Sequence, residues 1–102
     1  MIVFGEEALL DLERIFEFNA ARDPPTALEH LQRIREGVLI LAGHPEIGRK
    51  VAGSQLRELV ISHGASGYVA LYEKSRGENV IRVVAVRHQR EMGYRAWPSG
   101  TD

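Results

Sequence analysis

The chain has 102 residues, of which 13 are basic and 14 are acidic, giving a formal net charge of −1; this length suits one domain with one core. Apolar residues make up 44% of the chain and charged residues 26%, which is typical of a globular protein rather than a disordered one. Because the chain has no cysteine, disulfides, thiolate nucleophiles and cysteine-ligated zinc sites are excluded.

The first residues, Met1–Glu7, contain no basic region followed by an apolar stretch, so we expect no signal peptide. The longest apolar stretch without a charge, Gly37–Pro45, is far shorter than the ~20 residues that a membrane-spanning helix needs. We therefore expect the protein to act in the cytoplasm and not to enter a membrane.

The segment Glu6–Arg22 is predicted to be an amphipathic helix. Two prolines, Pro24 and Pro25, follow it and end it, since each disfavours the α conformation of the residue before it. Its apolar residues recur at the three- and four-residue spacing of one helical face: Ala8, Leu9, Leu12, Ile15, Phe16 and Ala20.

A second helix is predicted over Thr26–Ala42, with Asp23 as its N-terminal cap and Gly43 as the C′ residue after its end. Two amphipathic helices joined by a short turn indicate an antiparallel helical hairpin. The apolar stripe of the second helix consists of Leu28, Leu31, Ile34, Val38 and Leu41.

Beyond Gly53 the apolar period changes from 3.6 to 2. Three strands are predicted, at Leu56–Ser62, Tyr68–Lys74 and Val80–Arg87. The short connections between them require antiparallel neighbours. The last strand is apolar on both faces, so we expect it in the centre of the sheet, and Ile2–Phe4 can add an edge strand.

These elements predict an α+β fold in which an N-terminal helical hairpin packs on one face of a small antiparallel β-sheet. A 17-residue helix is about 25 Å long and a seven-residue strand about 23 Å, so the hairpin can cover the sheet. We expect residues 1–96 to form a single domain and residues 97–102 to form a loose C-terminal tail.

The histidines give no sign of a metal site, because no two of them stand at the spacing of metal ligands, and we expect neither a metal nor a cofactor. His30 lies on a helix flank, whereas His44 and His63 occur in turns; all three are predicted to be solvated. The segment Gly43–Lys50 lacks the Gly-Lys-Ser/Thr order of a phosphate-binding loop, so we interpret it as a structural loop.

Arginine outnumbers lysine by eleven to two, and its planar fork suits bidentate recognition. The densest group is Arg87, His88 and Arg90 at the end of the last strand. Tyr94 follows them, and Arg57 can approach them if its strand pairs suitably. Two interpretations remain open. Such a group can hold a phosphate and transfer a proton, or its arginines can pair with the chain's own glutamates or with an acidic partner.

Motifs between residue 8 and about residue 94 match, in order and spacing, those of a known superfamily. They are Ala8-x-x-Asp11-Leu12-x-x-Ile15, Leu41-x-x-x-Pro45-x-x-Gly48-Arg49, Leu56-Arg57-Glu58-Leu59, Tyr68-x-x-x-Tyr72 and Val86-Arg87-His88-x-Arg90-Glu91. On these motifs the chain resembles the RelE/ParE toxin superfamily of bacterial type II toxin–antitoxin systems. The resemblance implies the superfamily fold, a helical hairpin on a small antiparallel sheet.

Two activities occur in this superfamily. RelE-like members are ribosome-dependent endoribonucleases that use basic residues on the sheet and a C-terminal tyrosine or histidine, whereas ParE-like members are understood to poison DNA gyrase by binding. The nucleases commonly have an arginine after the first tyrosine of the Tyr68–Tyr72 motif, where this chain has Val69. The motifs are therefore closer to those of the ParE branch.

The preferred interpretation is a ParE-like toxin, a binding protein rather than an enzyme, that inhibits DNA gyrase and is neutralised by a cognate ParD-like antitoxin in a hetero-oligomer. We expect Arg57, Arg87, His88 and Arg90 to contact these partners, and nucleic acid to be involved only indirectly. The alternative is a RelE-like mRNA endoribonuclease. In that case Arg57 and Arg90 would bind phosphate, and His88 or Tyr94 would transfer protons at the 2′-hydroxyl.

Overall fold

The structure is a computed structural model that describes residues 1–63, 66–75 and 77–92. The predicted helices and the three predicted long strands are confirmed, with small shifts at their ends. Among the described residues no helix is long and apolar enough to span a membrane. The predicted tail, residues 97–102, lies outside the described residues.

In chain order the elements are β1 (Ile2–Phe4), α1 (Glu6–Arg22), α2 (Pro24–Leu39), a 3₁₀ turn (Ile40–Ala42), β2 (Arg49–Lys50), β3 (Arg57–His63), β4 (Ser66–Lys74), β5 (Ile81–His88) and α3 (Gln89–Met92).

A single residue, Asp23, forms the turn between α1 and α2. Its amide donates to the Asn19 carbonyl at 2.7 Å, and its own carbonyl accepts from the Thr26 amide at 3.0 Å. Asp23 occupies the N-cap position as predicted, but its side chain makes no capping hydrogen bond. The helix begins at Pro24. Proline has no N–H group that would need a hydrogen-bond acceptor, so the turn is held by the backbone hydrogen bonds of Asp23 without its side chain.

The helix α2 ends at Leu39, earlier than predicted, and tightens into the 3₁₀ turn Ile40–Ala42. Gly43 follows directly after Ala42, where the helix was predicted to end, and has a φ of −100°. Its amide donates to the Ile40 carbonyl at 3.2 Å. This hydrogen bond, which spans three residues instead of the four of an α-helix, satisfies a carbonyl at the helix end without a left-handed residue.

The five strands form one sheet in the order β1-β5-β4-β3-β2. The strands β3, β4 and β5 form the predicted antiparallel meander, and β1 lies at an edge, as expected. However, β1 pairs in parallel with β5, so the sheet is mixed, with one parallel edge strand added to the predicted antiparallel meander. The strand β5 lies inside the sheet between β1 and β4, while β4 rather than β5 occupies the centre.

The helical hairpin covers one face of the sheet and forms the main core with it. Successive side chains of a strand point to opposite faces of the sheet. The face opposite the helices carries a smaller apolar cluster, formed by Val69, Leu71 and Ala85. The fully buried residues of the main core with the largest side chains are Tyr68, Tyr72, Ile34, Leu41, Val38, Val83 and Val86.

Candidate functional site

Arg57 does not lie beside the arginines at the end of β5. It is opposite Tyr72 in β4, which is itself opposite Val83 in β5. Arg87 is opposite Val69, which precedes Tyr72 by three residues in β4, so it lies about 10 Å away along the strand. The expectation that Arg57 approaches this cluster is therefore wrong, because the strand register places it at the other end of the sheet.

The guanidinium group of Arg57 instead orders the loop before β2. It donates to the carbonyl of Gly48 at 2.8 Å and to that of Glu46 at 3.2 Å. Beside it, the Tyr72 hydroxyl donates to the Pro45 carbonyl at 2.8 Å and accepts from the Gly48 amide at 2.9 Å. These bonds explain why the loop keeps a fixed shape although its sequence suggests no regular structure.

Arg87 is held against α1 by two carboxylates. It forms an ion pair with Asp11 and a second one with Glu7, at 3.2 Å. Asp11 is only 7% exposed, and its carboxylate also accepts a hydrogen bond from the Val86 amide at 2.9 Å. Arg87 therefore has a structural role within the chain, since it compensates a buried charge.

The same carboxylate covers a strand edge that β1 leaves open. The pairing of β1 ends where Phe4 meets Val83, so no strand in the described ranges pairs with the following backbone groups of β5 on that side. Asp11 accepts from the Val86 amide, and Arg14 donates to the Val86 carbonyl at 3.4 Å. Side chains of α1 thus satisfy the backbone amide and carbonyl of Val86, which could otherwise pair with a strand of another chain.

His88 and Arg90, in contrast to Arg57, lie close together at the end of β5. The His88 ring packs edge-to-face on Tyr68, with ring centroids 5.2 Å apart. Its Nδ1 atom accepts from the Arg90 amide at 3.0 Å, and its own amide donates to Glu91 at 2.7 Å. This geometry assigns the proton of neutral His88 to Nε2. The remaining candidate, Tyr94, lies outside the described residues.

A cavity of about 590 Å³ opens between the hairpin turn and this end of the sheet. We call it the hairpin cavity. Its size is within the range of ligand and side-chain pockets. It brings together residues that are far apart in the sequence, from α1, α2, β4, β5 and α3: Arg14, Ile15, Phe18, Asn19, Arg22, Asp23, Thr26, His30, Tyr68, His88, Arg90 and Glu91.

The floor of the hairpin cavity is a hydrogen-bonded group around the Tyr68 hydroxyl. This oxygen lies 2.8 Å from Nδ1 of His30 and 3.5 Å from the side-chain amide nitrogen of Asn19. Asn19 also donates to the Ile15 carbonyl at 2.8 Å. Since Tyr68 is only 2% exposed, these bonds satisfy a hydroxyl that would be costly to bury alone.

His30 is thus half-buried and hydrogen-bonded, and the prediction that it is solvated is wrong. A signal for its position exists in the sequence. His30 follows Ala27 by three residues and precedes Ile34 by four, and both of these are fully buried. It therefore continues the buried face of α2 at helical spacing, whereas the prediction considered only its polarity.

The pKa values of His88 and Tyr68, whose rings are in contact beside the cavity, are both shifted. Burial lowers the pKa of the His88 imidazole, and the positive charge of Arg90 lowers it further, against the opposing effect of Glu91. Burial raises the pKa of the Tyr68 phenol, while its hydrogen bond with Asn19 acts in the opposite direction. Both groups are therefore uncharged near neutral pH.

We predict that replacing Arg90 with glutamine raises the pKa of His88, because the substitution removes a positive charge that opposes protonation. An NMR titration of the imidazole would measure this pKa. An unchanged His88 pKa in Arg90→Gln would contradict the prediction.

The lowered pKa of His88 also makes the stability of the fold depend on pH. In the wild-type chain the folded-state pKa of His88 lies below the unfolded value of about 6.5, so protonation favours unfolding. The free energy of unfolding should therefore decrease as the pH falls from 6.5 towards the folded-state pKa, and it should decrease less in His88→Gln.

Val69, at the position where the nucleases commonly have an arginine, lies on the sheet face opposite the helices. It is 7% exposed and packs in the apolar cluster with Leu71 and Ala85. Its partner in β5, Arg87, is bound by α1, and His88 faces the helical side through its contact with Tyr68. His88 and Val69, which stands where the nucleases commonly have an arginine, thus lie on opposite faces of the sheet.

The described residues form an α+β fold, with a helical hairpin on one face of a mixed sheet in the order β1-β5-β4-β3-β2. The solved structure titled "Chromosomal ParDE TA system from P. aeruginosa" has this fold, with a TM-score of 0.73 and 20% sequence identity over 85% of this chain and 92% of that chain. Residues 2–93 match the family described as "ParE toxin of type II toxin-antitoxin system, parDE". The chain belongs to this family of ParE toxins. No curated protein sequence matches it.

Proposed function

We propose that this ParE-family toxin acts in the cytoplasm by binding DNA gyrase, and that a cognate ParD-like antitoxin neutralises it in a hetero-oligomer. In this proposal residues 1–96 are the toxin domain. The toxin stabilises the cleaved-DNA state of gyrase by contact alone, so it forms and breaks no bond, needs no cofactor or metal, and meets nucleic acid only indirectly.

The observation that favours binding over RNA cleavage is the environment of Val69. An arginine there would stabilise the transferring phosphate, and the loss of one such contact typically costs ~2 to 4 kcal/mol of transition-state stabilisation. Val69 instead packs against Leu71 and Ala85, and its neighbour Arg87 is committed to Asp11. An RNA phosphate on this part of the described sheet face would meet apolar side chains.

The proposal gives different roles to the four residues that the sequence suggests for partner binding. His88 and Arg90 border the hairpin cavity, and we assign them to the antitoxin. Arg57 lies at the other end of the sheet, beside a polar cleft of about 620 Å³ that Lys50 also lines, and we assign it to a separate partner contact. Arg87 acts indirectly, by holding β5 against α1.

Expression of the chain in growing bacteria is expected to cause DNA breakage and filamentation without mRNA cuts phased to ribosomes. Pulsed-field analysis of the chromosome and sequencing of transcript 5′ ends would measure both effects. Co-expression of the ParD-type antitoxin encoded beside the chain's gene should restore growth. Phased transcript cuts that disappear in His88→Ala would replace the proposal with the nuclease alternative, and normal growth on expression would contradict both.

A further inference from the structure

The hairpin cavity combines apolar walls, a polar floor and arginine side chains at its rim. Ile15 and Phe18 of α1 provide the walls, and Tyr68 with Asn19 provides the floor. Phe18 is 57% exposed, so part of its ring is available to a partner. A cavity of this kind suits a side chain that has both an apolar stem and a polar head.

The charges at the rim favour a negative head. Of the residues that the structure describes, three arginines line the cavity against two carboxylates. One of these carboxylates, Glu91, already binds Arg14 and the His88 amide. Neither Arg22 nor Arg90 forms an ion pair with a carboxylate among the described residues. Both side chains are exposed, so an incoming carboxylate can reach them.

Arg22 is also held in place for such a contact. Its guanidinium carbon lies 5.1 Å from the centroid of the Phe18 ring, which is within the range of a cation–π contact. The guanidinium is planar, so one face can stack on a ring while its N–H edge binds a carboxylate. Stacking reduces the entropy that Arg22 loses when it binds.

We infer that the hairpin cavity is the site at which the toxin receives an acidic side chain of its antitoxin. A glutamate or aspartate of the antitoxin binds Arg22 and Arg90, and an apolar neighbour in the same segment packs on Phe18. This inference depends on the proposed function, because that function supplies the partner. It adds the site on the toxin and the chemistry of the residue that the site accepts.

The test uses the complete chain and the purified ParD-type antitoxin encoded beside it, in a binding titration followed by calorimetry. Arg22→Gln and Arg90→Gln are each expected to weaken binding about tenfold or more, because each removes hydrogen bonds to a charged group. Arg33→Gln is the matched control. Arg33 is exposed on α2, and the ion pair that it forms within the described part of the chain, with Glu36 at 3.9 Å, is weak, so its replacement should change binding less than about twofold.

Alanine replacement of each acidic residue of the antitoxin then identifies the partner side chain. The correct replacement should weaken binding to the wild-type toxin more than it weakens binding to Arg90→Gln, in which only Arg22 still contacts the acidic side chain. Thermal unfolding of each variant checks that the fold is intact. Cavity variants that bind as tightly as wild type overturn the inference and leave the proposed function standing. A wild-type chain that does not bind the antitoxin at all overturns both.

Discussion

Replacement of Asp11 by alanine is expected to lower the free energy of unfolding by about 3 kcal/mol, since removing one partner of a buried ion pair leaves the other charge uncompensated. Asp11 is 7% exposed and connects α1 to β5. Its carboxylate pairs with Arg87 and with Arg14, and it accepts from the Val86 amide. The substitution therefore also leaves a strand-edge amide without its partner.

Urea denaturation of the wild-type and variant chains would measure this loss, and Glu7→Gln is the matched control. Glu7 pairs with the same arginine, but its side chain is 57% exposed, so its loss should cost less than about 0.5 kcal/mol. Asp11→Asn separates the two contributions, because it keeps an acceptor for the Val86 amide and removes the charge. Equal losses in the Asp11 and Glu7 variants would show that burial does not strengthen the Asp11 pair.

The sequence predicts the helices and long strands well because their signals are local. Apolar periods of 3.6 and 2 place α1 and β5 to within a residue or so of their observed bounds. The elements that it misses depend on distant partners. The strand β2 is two residues long, too short to show a period, and it exists only because β3 pairs with it. Likewise, nothing within Ile2–Phe4 specifies that its partner, β5, runs parallel to it.

The candidate site shows the same limit. The sequence groups His88 and Arg90 correctly, because they are neighbours on one strand end. It cannot place Arg57, whose distance from them depends on the register of two strand pairs. It also cannot show that Arg87 is committed to Asp11, 76 residues away. Arg22 and His30 reach the hairpin cavity only because α1 and α2 fold back on each other. The spacing of His30 from Ala27 and Ile34 indicates that it lies on the buried face of α2, but not that it lies beside Tyr68.

The position of α2 over the sheet, on which the hairpin cavity depends, is set by a close approach at Gly37. A β-carbon at this residue would lie 2.8 Å from Cγ1 and 2.9 Å from Cγ2 of Ile61 in β3. Ile61 is β-branched and only 4% exposed, so its side chain has little room to turn away. Gly37 is therefore the point at which the Ile61 side chain packs directly on the backbone of α2.

Gly37→Ala is expected to destabilise the fold by about 2 kcal/mol, although alanine favours a helix over glycine by about 1 kcal/mol. Gly43→Ala is the control, because nothing lies within 4 Å of the added carbon and its φ is ordinary; it should be neutral or stabilise by up to about 1 kcal/mol. In chains that already contain Ile61→Ala, the cost of Gly37→Ala should largely disappear. Because α2 holds His30 against Tyr68, Gly37→Ala should also shift the NMR signals of both rings. If denaturation curves show Gly37→Ala to be as stable as Gly43→Ala, α2 is not held at this contact.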